Sequence, residues 1–493
     1  MSYSERDPLL SEKHVFSRGA AVETSSTGKS LTTVPDDNLR DRVGDPSDSG
    51  STSSSLDSVQ DHSISNVEAF MHLVKGLVGT GILGLPHAFM QAGLLLGPLF
   101  TTLIAIACTT TAYMLVISSR TLCKRSRVGS LDYAQTVHAA ALPYSSRLAY
   151  WLKIVTNIFL IIVQFGFCCV YVVFISEHIV QVAQACGIEF GHGWSSTDKE
   201  RIVVACLFLP LALATYIKNL DRLSFLSTAA NVVTIVSFGV VYYFTIGHMN
   251  MKVKDGYGGP LSKLPLVAAV SGWPLFLGTV IYAIEGIGVV MPIENKMKQP
   301  LDFGKVLVCG FTFVSIIYVI TGLLGYMCFG QNIQGSVTLN LPVAGSHAWL
   351  YAVVKVFLIF AIFCSYLIQF YVPLTFLEPP LEIFFNTPRV SYIFRTLIVA
   401  ITCALAIAIP DLGDLISLVG SLGGSTLLFV FPIIAYQLTF RQNYNRNSPG
   451  LWMSVLCIGF LVIGVIGFVL GTYSSLKNII ESSNSTHPTT APS

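Results

Sequence analysis

Residues 76–86 read Gly-Leu-Val-Gly-Thr-Gly-Ile-Leu-Gly-Leu-Pro, and they lie in the first long apolar segment of the chain. Three glycines within six residues, followed by Pro86, disfavour a continuous helix at this point. A lipid bilayer tolerates unpaired backbone groups only where protein or a water-filled cavity satisfies them. A broken first helix in a chain with many spans therefore predicts a binding site for a small polar solute near the bilayer midplane.

The composition requires a membrane environment. The 493 residues are 53% hydrophobic and 11% charged, whereas a soluble domain has about 25% charged residues. The net charge of +2 includes no basic patch that would indicate nucleic acid. We predict an all-α polytopic membrane protein in the lipid bilayer, with eleven transmembrane helices at about 69–91, 94–118, 150–175, 202–217, 223–247, 271–292, 305–329, 347–373, 392–409, 413–439 and 451–473.

The two ends of the chain are predicted to lie on opposite sides of the membrane. Residues 1–67 contain 16 serines and few large apolar residues, so we expect a disordered tail. Loops on the side of this tail receive twelve Lys and Arg and the other loops five, which predicts a cytosolic N-terminus. Residues 68–475 would form the transporter domain, and 476–493 a short lumenal or extracellular tail. Asn484 begins a glycosylation sequon in that tail.

An internal repeat is visible between the first and sixth predicted spans. The sixth span carries Gly278-Thr279 and then Glu285-Gly286-Ile287-Gly288, so glycine interrupts it as well. The sixth span comes five spans after the first, and this odd offset inverts the orientation of the second half. Broken helices in corresponding positions predict a transporter with a 5+5 inverted repeat and broken helices 1 and 6.

Several motifs in order resemble one family, the proton-coupled amino acid transporters of the amino acid/auxin permease superfamily. The first span resembles the family's first helix from His72 to Pro86. The resemblance extends over about residues 68–475. Further matching segments are Gln164–Tyr171, Glu285–Met297, Gln334–Pro342, Gln369–Pro373 and Leu415–Ser421.

The resemblance implies an eleven-helix, LeuT-like fold that carries small neutral amino acids, such as glycine, alanine and proline, into the cytosol together with protons. It implies residence in lysosomal or endosomal membranes, the plasma membrane, or both. The aromatic residue that the family often has before the sixth-span glutamate is Ile284 here, which leaves the size limit of the substrate open. No cofactor is expected beyond the coupling proton.

The predicted substrate site consists of bare backbone at the two breaks. A half-helix N-terminus suits a carboxylate, and exposed carbonyl groups suit an ammonium. Glycine lets the backbone approach a ligand because no side chain intervenes. The alternative is that these glycines only allow helices to pack closely. The residues expected to contact substrate are Gly79, Thr80, Gly81, Gly84, Glu285, Gly286 and Gly288.

Two residues are candidates for proton coupling. A carboxyl group near the bilayer middle is costly when charged, so we expect Glu285 to carry the coupling proton. A salt bridge or a hydrogen bond at the break is the structural alternative. An imidazole titrates in the pH range in which proton-driven carriers work, which makes His72 the second candidate, although it could also be a gate or a core residue. We expect Lys75 and Lys355 to pair with carboxylates or carbonyl groups.

The cysteines indicate no metal site, because no Cys and His spacing fits one. Cys186 is predicted to lie outside the cytosol, where a disulfide is allowed, and Cys328 is one candidate partner. The family often has a bridging cysteine after the Leu-Asn-Leu-Pro stretch, but this chain continues as Val343-Ala-Gly-Ser-His-Ala-Trp349. That family bridge is therefore in doubt.

Two other functions stay open at this stage. One is a sodium-coupled carrier on the same fold. Sodium sites in such folds typically use hydroxyl groups of the eighth span, and Ser365 is the one Ser or Thr in 347–373, which disfavours this function. An amino acid receptor that signals through its tail is the other. Enzymatic activity is not expected. Within the tail, Glu5 and the pair Leu9-Leu10 resemble a dileucine signal read by clathrin adaptors, which predicts endolysosomal sorting.

Overall fold

The computed structural model describes residues 63–188, 194–217, 220–248, 263–345, 347–385, 387, 389–441 and 451–486. These residues form helices joined by loops. The helices longer than one turn, excluding the π-helical segments, are α1 (Asn66–Leu77), α2 (Gly81–Ala92), α3 (Leu96–Ser126), α4 (Tyr133–Ala141), α5 (Ser146–Ala185), α6 (Ser196–Thr215), α7 (Leu220–Gly247), α8 (Trp273–Ile284), α9 (Ile287–Lys296), α10 (Phe303–Phe329), α11 (Ala348–Phe385), α12 (Arg389–Ala408), α13 (Leu412–Val419), α14 (Phe431–Arg441), α15 (Leu451–Ile466) and α16 (Thr472–Thr486).

The predicted membrane architecture is confirmed as an all-helical fold with many apolar spans. Nine helices of the described residues are long and apolar enough to cross a membrane, and the bent pair α1–α2 would make ten. The predicted fourth span corresponds to α6, whose first turns carry Asp198, Lys199, Glu200 and Arg201. The count of eleven spans and the inverted repeat therefore stay predictions.

Both predicted helix breaks are present. α1 ends at Leu77, α2 begins at Gly81, and the two axes differ by 56°. The break falls before Pro86, which lies inside α2. The second break is shorter: α8 ends at Ile284, and α9 begins at Ile287. Glycine explains the position of the first break better than proline does, because Gly79 lies in the gap itself.

Described contacts begin before the predicted boundary at residue 68. The backbone N–H of Ile64 donates to Lys296 O (2.8 Å), and Lys298 N–H donates to Ile64 O (2.9 Å). Ser65 then caps α1 in a capping box with Glu68. The segment before α1 is thus hydrogen-bonded to the end of α9, the helix that follows the second break.

The most extensive helix contacts place the two breaks at the centre of the fold. α11 packs against α5 and α7, and α2 packs against α8 and α10.

A buried ion pair links three further helix segments. Arg395 donates to Glu378 Oε1 (2.5 Å) and Oε2 (2.8 Å) and also to the carbonyl of Thr215. This cluster joins α11, α12 and the end of α6.

Three predictions concern the ends of the chain and the cysteines. Glu5, Leu9 and Leu10 lie outside the described residues. Asn484 falls within the last residues of α16, and its glycosylation stays a prediction. Cys186 is exposed, Cys328 is buried inside α10, and both carry free thiols, so the suggested disulfide is not formed in the structure.

Candidate functional site

A cavity lies where the two helix breaks meet. It encloses about 440 Å³ of empty space, including its open mouth. α1 and α2 form one wall, α8 and α9 a second, and α5 and α11 complete it. The lining residues are Gly76, Leu77, Gly79, Thr80, Gly81, Gln164, Phe167, Tyr171, Tyr282, Ala283, Glu285, Gly286, Gly288, Val289 and Gln369.

The start of α2 presents backbone N–H groups to this cavity. The first N–H groups of any helix have no partner within the helix and carry positive partial charge. Thr80 precedes α2 and makes no side-chain cap. Its hydroxyl oxygen is instead 3.0 Å from the hydroxyl of Tyr282. The α2 N-terminus is therefore suited to an anionic group on a ligand.

The start of α9, unlike the start of α2, lies next to an acidic side chain. The Glu285 carboxyl group lies close to the backbone N–H of Ile287 in the first turn of α9. Glu285 is 9% exposed. Among the ion pairs of the described residues, none includes Glu285. Of the two structural alternatives for this residue, the salt bridge is therefore not formed among the described residues.

The glycines at the breaks differ in what surrounds them. A Cβ atom placed at Gly81 would lie 2.5 Å from the Cα of Ala283, and one at Gly286 would lie 2.5 Å from Leu77 Cδ2. At Gly79 and Gly288 the nearest atoms would be Tyr171 Oη at 3.8 Å and Gln164 Nε2 at 4.0 Å. Gly81 and Gly286 thus allow close packing, whereas Gly79 and Gly288 leave space in the cavity.

The remaining wall is built from aromatic and amide side chains. Phe167 packs edge-on against Tyr282, with ring centroids 4.8 Å apart. Gln164 Oε1 is buried and has no hydrogen-bond partner, and the Gln369 side chain lies near the Tyr171 hydroxyl. We did not predict these residues as site residues. The signal was nevertheless present, because amide side chains inside apolar spans are costly and indicate a polar site.

A tyrosine from α10 connects the two breaks behind the cavity wall. The Tyr318 hydroxyl oxygen is 2.7 Å from Leu77 O and 2.8 Å from Ala283 O. Leu77 is the last residue of α1, and Ala283 lies in the last turn of α8. Tyr318 is fully buried. One phenol group therefore serves carbonyl groups at the ends of both half-helices.

The cavity opens on the α1 side of the breaks. Gly76 and Gly79 are exposed, whereas every residue from Gly81 to Pro86 is buried. His72 and Lys75 lie on the same exposed face of α1 but do not line the cavity. Lys75 therefore has no need of the partner that we predicted for it.

On the opposite side, the loop of residues 333–341 packs against α2 at Gly84, where a Cβ would lie 3.5 Å from Gly335 O. Ser336, Val337 and Thr338 are at most 1% exposed. His178 Nε2 is 2.7 Å from Thr338 Oγ1, and Lys355 Nζ donates to Leu341 O at 3.0 Å. The predicted pairing of Lys355 with a carbonyl group is confirmed.

Two further expectations about cavity residues differ from the structure. Gly84 does not line the cavity, because a Cβ there would instead face Ile416 Cδ1 at 3.3 Å and Gly335 O at 3.5 Å. Ile284 is 2% exposed and also lies outside the cavity lining. Ile284 therefore does not set the size limit of the substrate, which the sequence left open, by direct contact with the cavity.

The geometry can be compared with known proteins. Residues 62–477 match the family model described as transmembrane amino acid transporter protein. The chain is 30% identical over 430 residues to the proton-coupled amino acid transporter-like protein pathetic of Drosophila melanogaster, which covers 85% of this chain and 86% of the relative. It is 31% identical over 439 residues to the amino acid transporter AVT3C of Arabidopsis thaliana, covering 85% and 92%.

A helical membrane protein with two broken spans around a polar cavity has the architecture of a solute transporter. The chain belongs to the transmembrane amino acid transporter family, and its function is amino acid transport across a membrane. This is a family of transporters, and the two relatives are named as transporters and not as enzymes.

Proposed function

We propose that this protein carries small neutral amino acids into the cytosol together with protons. The observation that carries the proposal is the cavity itself. One of its walls presents the uncapped N-terminus of α2, and another presents Glu285, a buried carboxyl group without a cationic partner among the described ion pairs. The N–H groups can donate to the substrate carboxylate, and the oxygens of Glu285 can accept from its ammonium whether or not the carboxyl group is protonated.

The substrate carboxylate is assigned to the start of α2, because the Glu285 carboxyl group lies close to the start of α9 and would repel a second carboxylate there. Gly79 and Gly81 let the substrate reach the backbone there. The substrate ammonium faces Glu285 and the orphan oxygen of Gln164 on the other walls. The substrate would thus bridge the two breaks.

The cavity lining favours substrates with small, neutral side chains. Glu285 is the one charged side chain among the cavity-lining residues, so a charged substrate side chain finds no opposite charge beyond it. Phe167, Tyr171 and Tyr282 limit the space next to the glycines. One extra methylene group against such a wall changes discrimination by about 1–3 kcal/mol.

Proton coupling follows from the charge of the loaded cavity. A zwitterion is neutral overall, and a protonated Glu285 leaves the occupied cavity neutral as well. Closing a neutral cavity inside a membrane costs less than closing a charged one. Protonation of Glu285 and binding of substrate would therefore favour the same occluded state, which is the requirement for coupled transport.

Sodium coupling is less well supported by the residues present. Sodium needs several oxygen ligands, and Ser365 is the one Ser or Thr in the stretch 347–373. The Ser365 hydroxyl donates to Ala361 O at 3.0 Å, within its own helix. Replacing sodium by choline should accordingly leave uptake unchanged, whereas a loss of uptake would favour the sodium-coupled alternative.

The experiment is uptake of labelled glycine or proline by proteoliposomes with an imposed pH gradient. Wild type should show uptake that rises with an inward proton gradient. Uptake by Glu285→Gln should no longer depend on the proton gradient, because an amide at this position cannot take up and release a proton. Glu481→Gln is the control, since Glu481 is an exposed carboxyl group near Lys477. A wild type that ignores the gradient would contradict proton coupling.

The cellular location is a separate part of the proposal. The Glu5 and Leu9-Leu10 pattern supports capture by a clathrin adaptor and residence in endosomal or lysosomal membranes. The excess of Lys and Arg in alternate loops supports a cytosolic N-terminus. The acidic lumen of such compartments would supply the proton gradient that drives import into the cytosol.

A further inference from the structure

The buried Tyr318 hydroxyl lies between two helix ends that face each other across the fold. Its oxygen is 2.7 Å from the carbonyl of Leu77 and 2.8 Å from that of Ala283. Both carbonyl groups belong to half-helices that stop at a break, one in the first span and one in the sixth. Tyr318 belongs to neither span, because it comes from α10.

These carbonyl groups need a donor from outside their own helices. The last carbonyl groups of a helix have no partner within it, and they carry negative partial charge. Inside a membrane such a group is costly unless a partner is supplied. The two carbonyl groups also repel each other, so a donor placed between them is required to hold the two helix ends close.

The contacts around Tyr318 show that the spacing of the breaks is fixed closely. The Leu77 side chain fills the space that a side chain at Gly286 would need, since a Cβ there would lie 2.5 Å from Leu77 Cδ2. Ala283 similarly packs against Gly81, where a Cβ would lie 2.5 Å from the Ala283 Cα. Both residues whose carbonyl groups meet Tyr318 thus also line the cavity.

We propose that Tyr318 is a positioning residue for transport: its hydroxyl holds the carbonyl ends of α1 and α8 at the separation that substrate binding requires. It does not contact the cavity itself. The inference depends on the proposed function, because it assumes that the amino acid binds between the two breaks. Without the hydroxyl, the carbonyl ends separate and the groups that receive the two ends of the substrate lose their spacing.

The test compares Tyr318→Phe with Tyr133→Phe in the same uptake assay. Tyr133 is a matched control because its buried hydroxyl also donates to a backbone carbonyl, that of Leu427 (2.6 Å), and neither residue lines the cavity. Tyr318→Phe should raise KM for the amino acid about tenfold while the maximal rate changes by less than about twofold, as expected when a binding geometry is lost. Tyr133→Phe should leave KM unchanged.

A second variant restores the donor without the oxygen. Para-aminophenylalanine at position 318 carries an amino group that can donate to both carbonyl groups, so KM should return to the wild-type value. This variant also decides the question if Tyr318→Phe fails to fold. A KM that stays raised with the amino group present would overturn the proposal, and so would equal effects of Tyr318→Phe and Tyr133→Phe.

The behaviour of the wild-type protein distinguishes a failure of this proposal from a failure of the proposed function. If wild type shows no saturable amino acid uptake driven by a proton gradient, the proposed function fails. If wild type is driven in this way and Tyr318→Phe keeps the wild-type KM, the role of Tyr318 alone is refuted.

Discussion

Adding one methyl group at two different glycines of the cavity should have opposite consequences. At Gly288 the new methyl group would point into the cavity, with Gln164 Nε2 as its nearest neighbour at 4.0 Å. At Gly81 it would lie 2.5 Å from the Cα of Ala283. Gly288→Ala is therefore a change in the cavity, and Gly81→Ala is a change in helix packing.

The magnitudes follow from these distances. Carbon atoms pack at about 3.5–4.0 Å, so Gly81→Ala must push α2 and α8 apart by about 1 Å, and overpacking of this kind costs about 1–3 kcal/mol. Gly288→Ala meets no such obstacle, and an unstrained change from glycine to alanine stabilises by about 0.4–1 kcal/mol. Its effect should instead fall on substrates, by about tenfold per excluded methylene group.

The assay measures competition by unlabelled glycine, alanine, valine and leucine against labelled glycine uptake, together with thermal unfolding of the purified protein. Gly288→Ala should keep the wild-type unfolding temperature or raise it, retain competition by glycine, and weaken competition most for the largest side chains. Gly81→Ala should lower the unfolding temperature. An unchanged substrate profile in Gly288→Ala would refute the assignment of this glycine to the cavity wall.

Three further predictions concern other parts of the chain. Arg395→Ala should destabilise the protein by about 3–5 kcal/mol, because it leaves the largely buried Glu378 (13% exposed) without its ion pair; an unchanged denaturation midpoint would contradict this. His178→Phe removes the hydrogen bond to Thr338 in the loop of residues 333–341. A cysteine introduced at Ser336 should then react faster with an impermeant maleimide added on the side of the membrane opposite the N-terminus. An equal rate would show that the bond does not hold this loop in place. Replacing Leu9 and Leu10 by alanine should raise the surface fraction measured by biotinylation, and an unaltered distribution would show that the signal is unused.

The helix breaks could be predicted from local sequence because their cause is local. Gly79 and Gly81 disfavour a helix wherever they occur, and Glu285-Gly286 does the same in the sixth span. Helix α4 could also have been predicted, since Asp132 and Gln135 form a capping box at its start. Local patterns of this kind act within a few residues, so they do not need the fold to be known.

The rest of the site depends on contacts between distant parts of the chain. Tyr318 is separated from Leu77 by 241 positions, and nothing in its apolar surroundings along the chain indicates a role at a break. Gly84 belongs to the same motif as Gly81, but the loop of residues 333–341 packs against it and keeps it from the cavity. Which glycine serves packing and which serves a ligand is decided by neighbours that the sequence alone does not show.

The central claim is that an amino acid binds between the two breaks, with its carboxylate at the start of α2 and its ammonium near Glu285. Electron cryomicroscopy of the protein saturated with glycine or proline at acidic pH tests this most directly. We expect density for the carboxylate within hydrogen-bonding distance of the N–H groups of Gly79 to Gly81. Ligand density elsewhere in the molecule, with the space between the breaks empty, would contradict the claim.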